Sequence, residues 1–200
     1  MAKDQKELNA RLKKMEGISS LIHLDVVDGK FVKSQSLWFN FKLSKKFQYT
    51  AHLMIMKPLW WIRQYGHKMK VCISQFEVIE DVEHYIEYCQ RHTMKVGFAL
   101  RPETKWAVLK PYLKDINYVL ILTVKPGFYG SSFLMNPLRK IAKIKKTNPK
   151  IKIVVDGHMN PKTVKKAVKK GADFVVVGSY LQNAVDVKKA MKELKDAVRK

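Results

Sequence analysis

Short runs of β-branched and other apolar residues alternate along this chain with longer stretches in which apolar positions recur every three to four residues. The short runs predict strands at 21–26, 49–55, 71–78, 96–100, 118–124, 151–156 and 173–178. The longer stretches predict helices at 4–15, 58–67, 80–93, 104–113, 134–147, 161–170 and 184–198. Asp4, Thr104 and Asn160-Pro161 are helix-start signals, because a side-chain oxygen there can accept from the unpaired N–H groups of the first turn. Gly171 is a stop signal. The run Tyr118-Val119-Leu120-Ile121-Leu122 has no polar face, as a strand buried on both sides requires. Strands alternating with helices of about 10 to 15 residues predict parallel βα units. No low-complexity linker divides the chain, so a single domain over 1–200 is expected.

Composition narrows the class. An apolar fraction of 46% with four Trp excludes a disordered chain. No apolar run approaches the roughly 20 residues of a membrane span. The first residues, Met1 to Glu7, lack the apolar centre of a signal peptide. Cys72 and Cys89 have neither metal-type spacing nor a disulfide-rich setting, so buried, reduced thiols are expected. These features describe a soluble cytoplasmic protein. The net charge is +22, yet only six of the 39 basic residues are Arg. Many Lys fall in helix-face pairs such as Lys145-Lys146 and Lys165-Lys166. Without an Arg cluster or recognition motif, no specific nucleic-acid binding is expected. Such a surface attracts anionic substrates in general.

Three strand runs carry His or Asp toward their C-terminal ends: His23-Leu24-Asp25-Val26-Val27-Asp28-Gly29, Thr50-Ala51-His52-Leu53-Met54-Ile55 and Val154-Val155-Asp156-Gly157. In parallel α/β proteins, those ends are where loops converge and ligands bind. His23 and Asp25 are two residues apart and share one strand face. A lone strand histidine is ordinarily a core or surface residue. Two His and two Asp at strand ends form a candidate divalent-metal site, with carboxylates also available to move protons.

The order of these segments resembles the ribulose-phosphate 3-epimerase family over nearly the whole chain. The matching stretches are 23–32, 51–55, 100–104, 123–130, 155–157 and 176–179. The resemblance implies an α/β fold, a TIM (β/α)8 barrel, in which His23, Asp25, His52 and Asp156 bind one divalent ion (Zn, Mn, Fe or Co). It implies that Asp25 and Asp156 are the catalytic acid/base pair on opposite faces of a ketose phosphate. It places Met54 against the substrate. Gly127, Phe128, Tyr129, Gly130, Gly157, His158, Gly178 and Ser179 fall in the last three strand-end loops, where such barrels often hold phosphate. A homo-oligomer is expected.

Seven predicted strands fall one short of a closed barrel. The family begins with a strand ending in Ser, so the first strand is expected to be missing or truncated; a late-assigned start and a differently closed barrel both remain open. Val27, Leu122, Tyr129, Ser131 and His158 depart from the family's residues. These positions leave open a 3-epimerase of another ketose phosphate, such as a hexulose 6-phosphate. A non-catalytic sugar-phosphate binder is the third reading.

Overall fold

The computed structural model describes residues 1–126 and 131–199, and the chain forms two compact units, Met1–Ala99 and Leu100–Lys200. In the first unit, α1 (Gln5–Lys14) starts at Asp4, whose carboxylate accepts from the Glu7 N–H at 2.8 Å. It buries Leu8 and Leu12. Strand β1 (Leu21–Asp28) pairs in parallel with β3 (Gln48–Met54), and β3 with β4 (Val71–Gln75). β4 pairs in parallel with β5 (Lys95–Leu100). The register sets Asp25 beside His52 and His52 beside Ile73. A two-residue strand, β2 (Gln35–Ser36), returns antiparallel onto the end of β1. That hairpin was not expected, since its residues show no apolar alternation.

Helices α2 (Pro58–Tyr65) and α3 (Val82–Arg91) cover this sheet. Asp81 caps α3 through the His84 N–H at 2.8 Å. Trp61, Tyr85, Phe41 and Phe98 are fully buried around them. On the helix-facing side of β4, Ser74 Oγ and Tyr85 Oη lie 2.8 Å apart. Cys72 and Cys89 are buried free thiols in the same region, as expected. Burial pushes both thiol pKa values up, that of Cys89 to about 11.

The second unit holds β6 (Tyr118–Leu122), β7 (Lys152–Asp156) and β8 (Phe174–Val176), all parallel. Its helices are α4 (Arg139–Thr147), α5 (Pro161–Lys169), α6 (Ser179–Gln182) and α7 (Val187–Val198). Asn160 and Thr163 form a reciprocal cap on α5. Gly171, at φ +98°, follows that helix in a conformation only glycine adopts freely. The segment expected as a helix at 104–113 is instead a 3₁₀ stretch, Trp106–Tyr112. Pro111 lies inside it, and a missing N–H there prevents continued α-helical pairing. Thr104 therefore caps no α-helix. The helix expected at 134–147 begins only at Arg139, after a 3₁₀ turn that contains Pro137. The strands expected to reach residues 78, 124 and 178 end sooner, at Gln75, Leu122 and Val176. All seven expected strands are present, and the predicted parallel α/β class is borne out. Among the described residues, no helix is long and apolar enough to cross a membrane.

Candidate metal and acid/base site

His23, Asp25 and His52 project from one face of the paired strands β1 and β3, because the register sets Asp25 against His52 and His23 is two residues back. Asp25 Oδ1 lies 3.9 Å from His23 Nε2 and 3.6 Å from His52 Nδ1. These separations exceed a good hydrogen bond. They match two donors sharing one tetrahedral ion, which sit about 3.4 Å apart when each is about 2.1 Å from the metal. His23 Nε2 is a buried atom without a hydrogen-bond partner among the described residues. The donor set and its spacing therefore fit a divalent cation.

The electrostatics agree. Burial, reinforced by the His52 ring, pushes the His23 pKa down to about 4, although Asp25 pulls the other way. His23 is thus a neutral imidazole at physiological pH, with a lone pair to offer. Burial alone would raise the Asp25 pKa; interaction with His52 and His23 outweighs it and holds the carboxyl at about 2. Asp25 is an ionised carboxylate.

Three further residues, not singled out from sequence, hold this arrangement. Thr50 Oγ1 lies 2.8 Å from His23 Nδ1 and fixes the ring from behind. The Asp28 carboxylate, buried at the end of β1, accepts from the N–H groups of Lys30 (2.8 Å) and Phe31 (2.9 Å) with one oxygen. Its other oxygen accepts from the Met56 N–H at 2.8 Å, tying the loops after β1 and β3 together. Phe31 then packs with Val27 and Met54 in a small apolar cluster, with Val32 and Val78 against it. Met54 thus lies two residues beyond His52 on the same strand face. Nothing in the sequence pattern marks the reach of Asp28 to Met56.

In the second unit, Asp156 ends β7 beside Leu122 and Val176. Thr123, fully buried, clasps that strand end: its hydroxyl donates to the carbonyl oxygens of Asp156 (2.9 Å) and Gly157 (2.7 Å). Gly157 has φ +117°, and a Cβ there would come within 2.7 Å of Val124 Cγ2, so the position demands glycine. His158 follows with φ 52° and an exposed side chain. Its carbonyl accepts from Thr163 Oγ1 at 2.8 Å. His158 and Ser179 line a cavity of about 590 Å³ with Asn160, Tyr180, Asp186 and Lys189. Gly178 is exposed, and a Cβ there would meet open space. Gly127, Phe128, Tyr129 and Gly130, also expected at the phosphate, lie outside the described residues.

Residues 1–182 match the model of the ribulose-phosphate 3-epimerase family. A ribulose-phosphate 3-epimerase of Schizosaccharomyces pombe is 30% identical over 190 residues, covering 91% of this chain and 83% of that protein. One from Bacillus subtilis is 29% identical over 206 residues, covering 98% and 95%. Among solved structures, 3-hexulose-6-phosphate synthase from Salmonella typhimurium superposes with a TM-score of 0.69 at 14% identity, over 100% of this chain and 96% of that one. At that identity the likeness shows the fold alone, and it bears out the expected class, an α/β barrel of the TIM type.

Proposed function

Because the chain belongs to the ribulose-phosphate 3-epimerase family, we propose that this epimerase inverts C3 of D-ribulose 5-phosphate to give D-xylulose 5-phosphate. The observation that carries the reading is the ionised Asp25 carboxylate 3.6 and 3.9 Å from two ring nitrogens. His23, Asp25, His52 and Asp156 are a set of side chains that could hold one metal ion, and in this reading they do. A divalent cation held there supplies Lewis acidity, which stabilises negative charge developing on the substrate's oxygens.

Inversion next to a carbonyl requires a proton to leave one face of the carbon and another to arrive on the opposite face. Asp25, ionised at neutral pH, takes the first proton. Asp156, protonated at the start of that half-reaction, delivers the second to the enediolate carbon, and the roles exchange in reverse. His23 and His52 stay neutral and keep Asp25 in place. Met54, Val27 and Phe31 form an apolar wall that limits water around the reacting carbon. The phosphate is assigned to the loops of Gly157-His158 and Gly178-Ser179. There Gly178 carries no side chain to obstruct its amide. The enzyme acts on a small anionic sugar in the cytoplasm, where its basic surface favours encounter.

The test is turnover of D-ribulose 5-phosphate by the metal-loaded protein, coupled to detection of D-xylulose 5-phosphate. Metal-dependent turnover supports the reading. No conversion at any divalent-metal loading would refute it and favour a binder.

A further inference from the structure

Gln75, the last residue of β4, has zero solvent exposure. Neither its Oε1 nor its Nε2 has a hydrogen-bond partner among the described residues. A buried carboxamide with all its donors and acceptors idle is rare in a native core, because its lost hydration is not repaid. Outside the candidate metal ligands, two other polar groups buried on this sheet are matched. Ser74, the preceding residue, meets Tyr85 at 2.8 Å, and Asp28 accepts three backbone N–H groups.

Strand register shows where the idle amide faces. Asp25, His52 and Ile73 are consecutive register partners, so their side chains lie in one layer on one face. Gln75 is two residues past Ile73 and lies on that same face, one layer nearer the C-terminal strand ends. Val27 and Met54 occupy that layer on β1 and β3, two residues past Asp25 and His52. On its other side, the register partner of Gln75 is Ala99, and the partner of Ile73 is Gly97. Neither of these small residues has a side chain that could hydrogen-bond the carboxamide. Gln75 is therefore a polar group in an apolar layer, one layer above that of the Asp25 carboxylate and two strands along the sheet from it.

We infer that the Gln75 carboxamide is a specificity-determining contact that hydrogen-bonds a hydroxyl of the bound ketose phosphate. The inference rests on the epimerase reading above and extends it to a residue outside the metal and acid/base set. A polyhydroxylated ligand supplies both a donor and an acceptor, which matches both idle ends of the amide. Binding then satisfies a group that has no partner among the described residues, so a ligand lacking that hydroxyl is penalised by the buried amide.

Two measurements test this. Gln75→Met keeps a linear side chain of similar length and removes the polar end. The thermal midpoint should be unchanged or higher, because an unsatisfied amide is lost from the core. KM for D-ribulose 5-phosphate should rise about tenfold, the usual size of one lost hydrogen bond, with kcat within twofold of wild type. A KM equal to wild type overturns the inference, as does a fall in thermal midpoint without a change in KM. The second measurement uses unmutated protein, so it stands even if the variant fails to fold. The Gln75 side-chain amide resonances should shift on addition of D-ribulose 5-phosphate; resonances that stay in place at saturation overturn the contact. If the wild-type protein binds this sugar without turning it over, the epimerase reading fails, while the resonance test still decides the role of Gln75.

Discussion

His23 Nδ1 and Thr50 Oγ1 lie 2.8 Å apart across the β1–β3 pair, and the two residues are direct register partners. With the Nδ1 proton donated to the hydroxyl, the lone pair is left on Nε2, the nitrogen that faces Asp25. Backbone pairing between two strands thus places a hydroxyl that can hold the tautomer in which Nε2 is offered to a metal.

Removing this support weakens metal binding. Thr50→Val preserves the shape of the side chain and deletes the acceptor. Affinity for Zn²⁺ or Mn²⁺, measured by equilibrium dialysis, is expected to fall on the order of tenfold. An affinity equal to wild type would show that Thr50 does not orient the ring.

In the proposed mechanism each carboxylate serves one face of the substrate carbon. Asp25→Asn and Asp156→Asn should each abolish net epimerisation, by a factor of at least about 10³, while circular dichroism stays native. Wash-in of solvent deuterium at C3 separates the two roles. A variant that retains exchange still has the carboxylate for that face, and net turnover by either variant would overturn the two-carboxylate scheme.

The His23 pKa of about 4 lies below that of a free imidazole, about 6.5. The fold therefore favours the neutral ring. Its contribution to the stability of the metal-free protein is full above pH about 6.5 and is lost as pH falls toward 4. Protons compete with metal at His23 only near pH 4, so the His23 contribution to metal affinity should be flat from pH 8 to 6. Metal titrations across this range, compared with His23→Ala, check it; a His23-dependent loss centred near pH 6.5 would contradict the buried, neutral ring.

Asp28 accepts three N–H groups, and these hold its pKa below the usual carboxylate value despite burial, which acts in the opposite direction. Its contribution is present above the unfolded value of about 3.9 and is lost as pH falls through the folded value. Asp28→Asn turns an amide NH₂ toward one of the N–H donors. Urea unfolding at pH 7 should show a loss of about 2 kcal/mol, with a shallower acid dependence than wild type. An unchanged midpoint would show that the clamp contributes no stability.

His158 occupies the left-handed region at φ 52° with its ring exposed. His158→Gly removes that backbone cost and is expected to stabilise the fold by up to about 1 kcal/mol. KM for D-ribulose 5-phosphate should be unchanged. A higher KM that has lost its rise with pH would show instead that the ring binds the phosphate.

The parallel alternation was legible because strands such as β6 and β3 are buried on both faces and read as apolar runs. The candidate ligands stood out as polar residues within such runs. Their supports did not, because Thr50 and Thr123 act across strand pairs and Asp28 across a loop, at separations no local period encodes. The 3₁₀ segment at Trp106–Tyr112 was misread as α-helix for a local reason: its apolar spacing is helical, and Pro111 overrides it. Gln75 was hidden inside an expected strand, where a single polar residue reads as an ordinary exposed position.

The thiols of Cys72 on β4 and Cys89 on α3, buried and raised in pKa, give the molecule a built-in gauge of its own opening. Alkylating reagents and peroxides react with the thiolate, which the folded state all but forbids at neutral pH. Modification must therefore wait for β4 and α3 to separate. The rate of labelling then reports how often this half of the chain breathes, and a substrate or metal that holds the strands together should slow it.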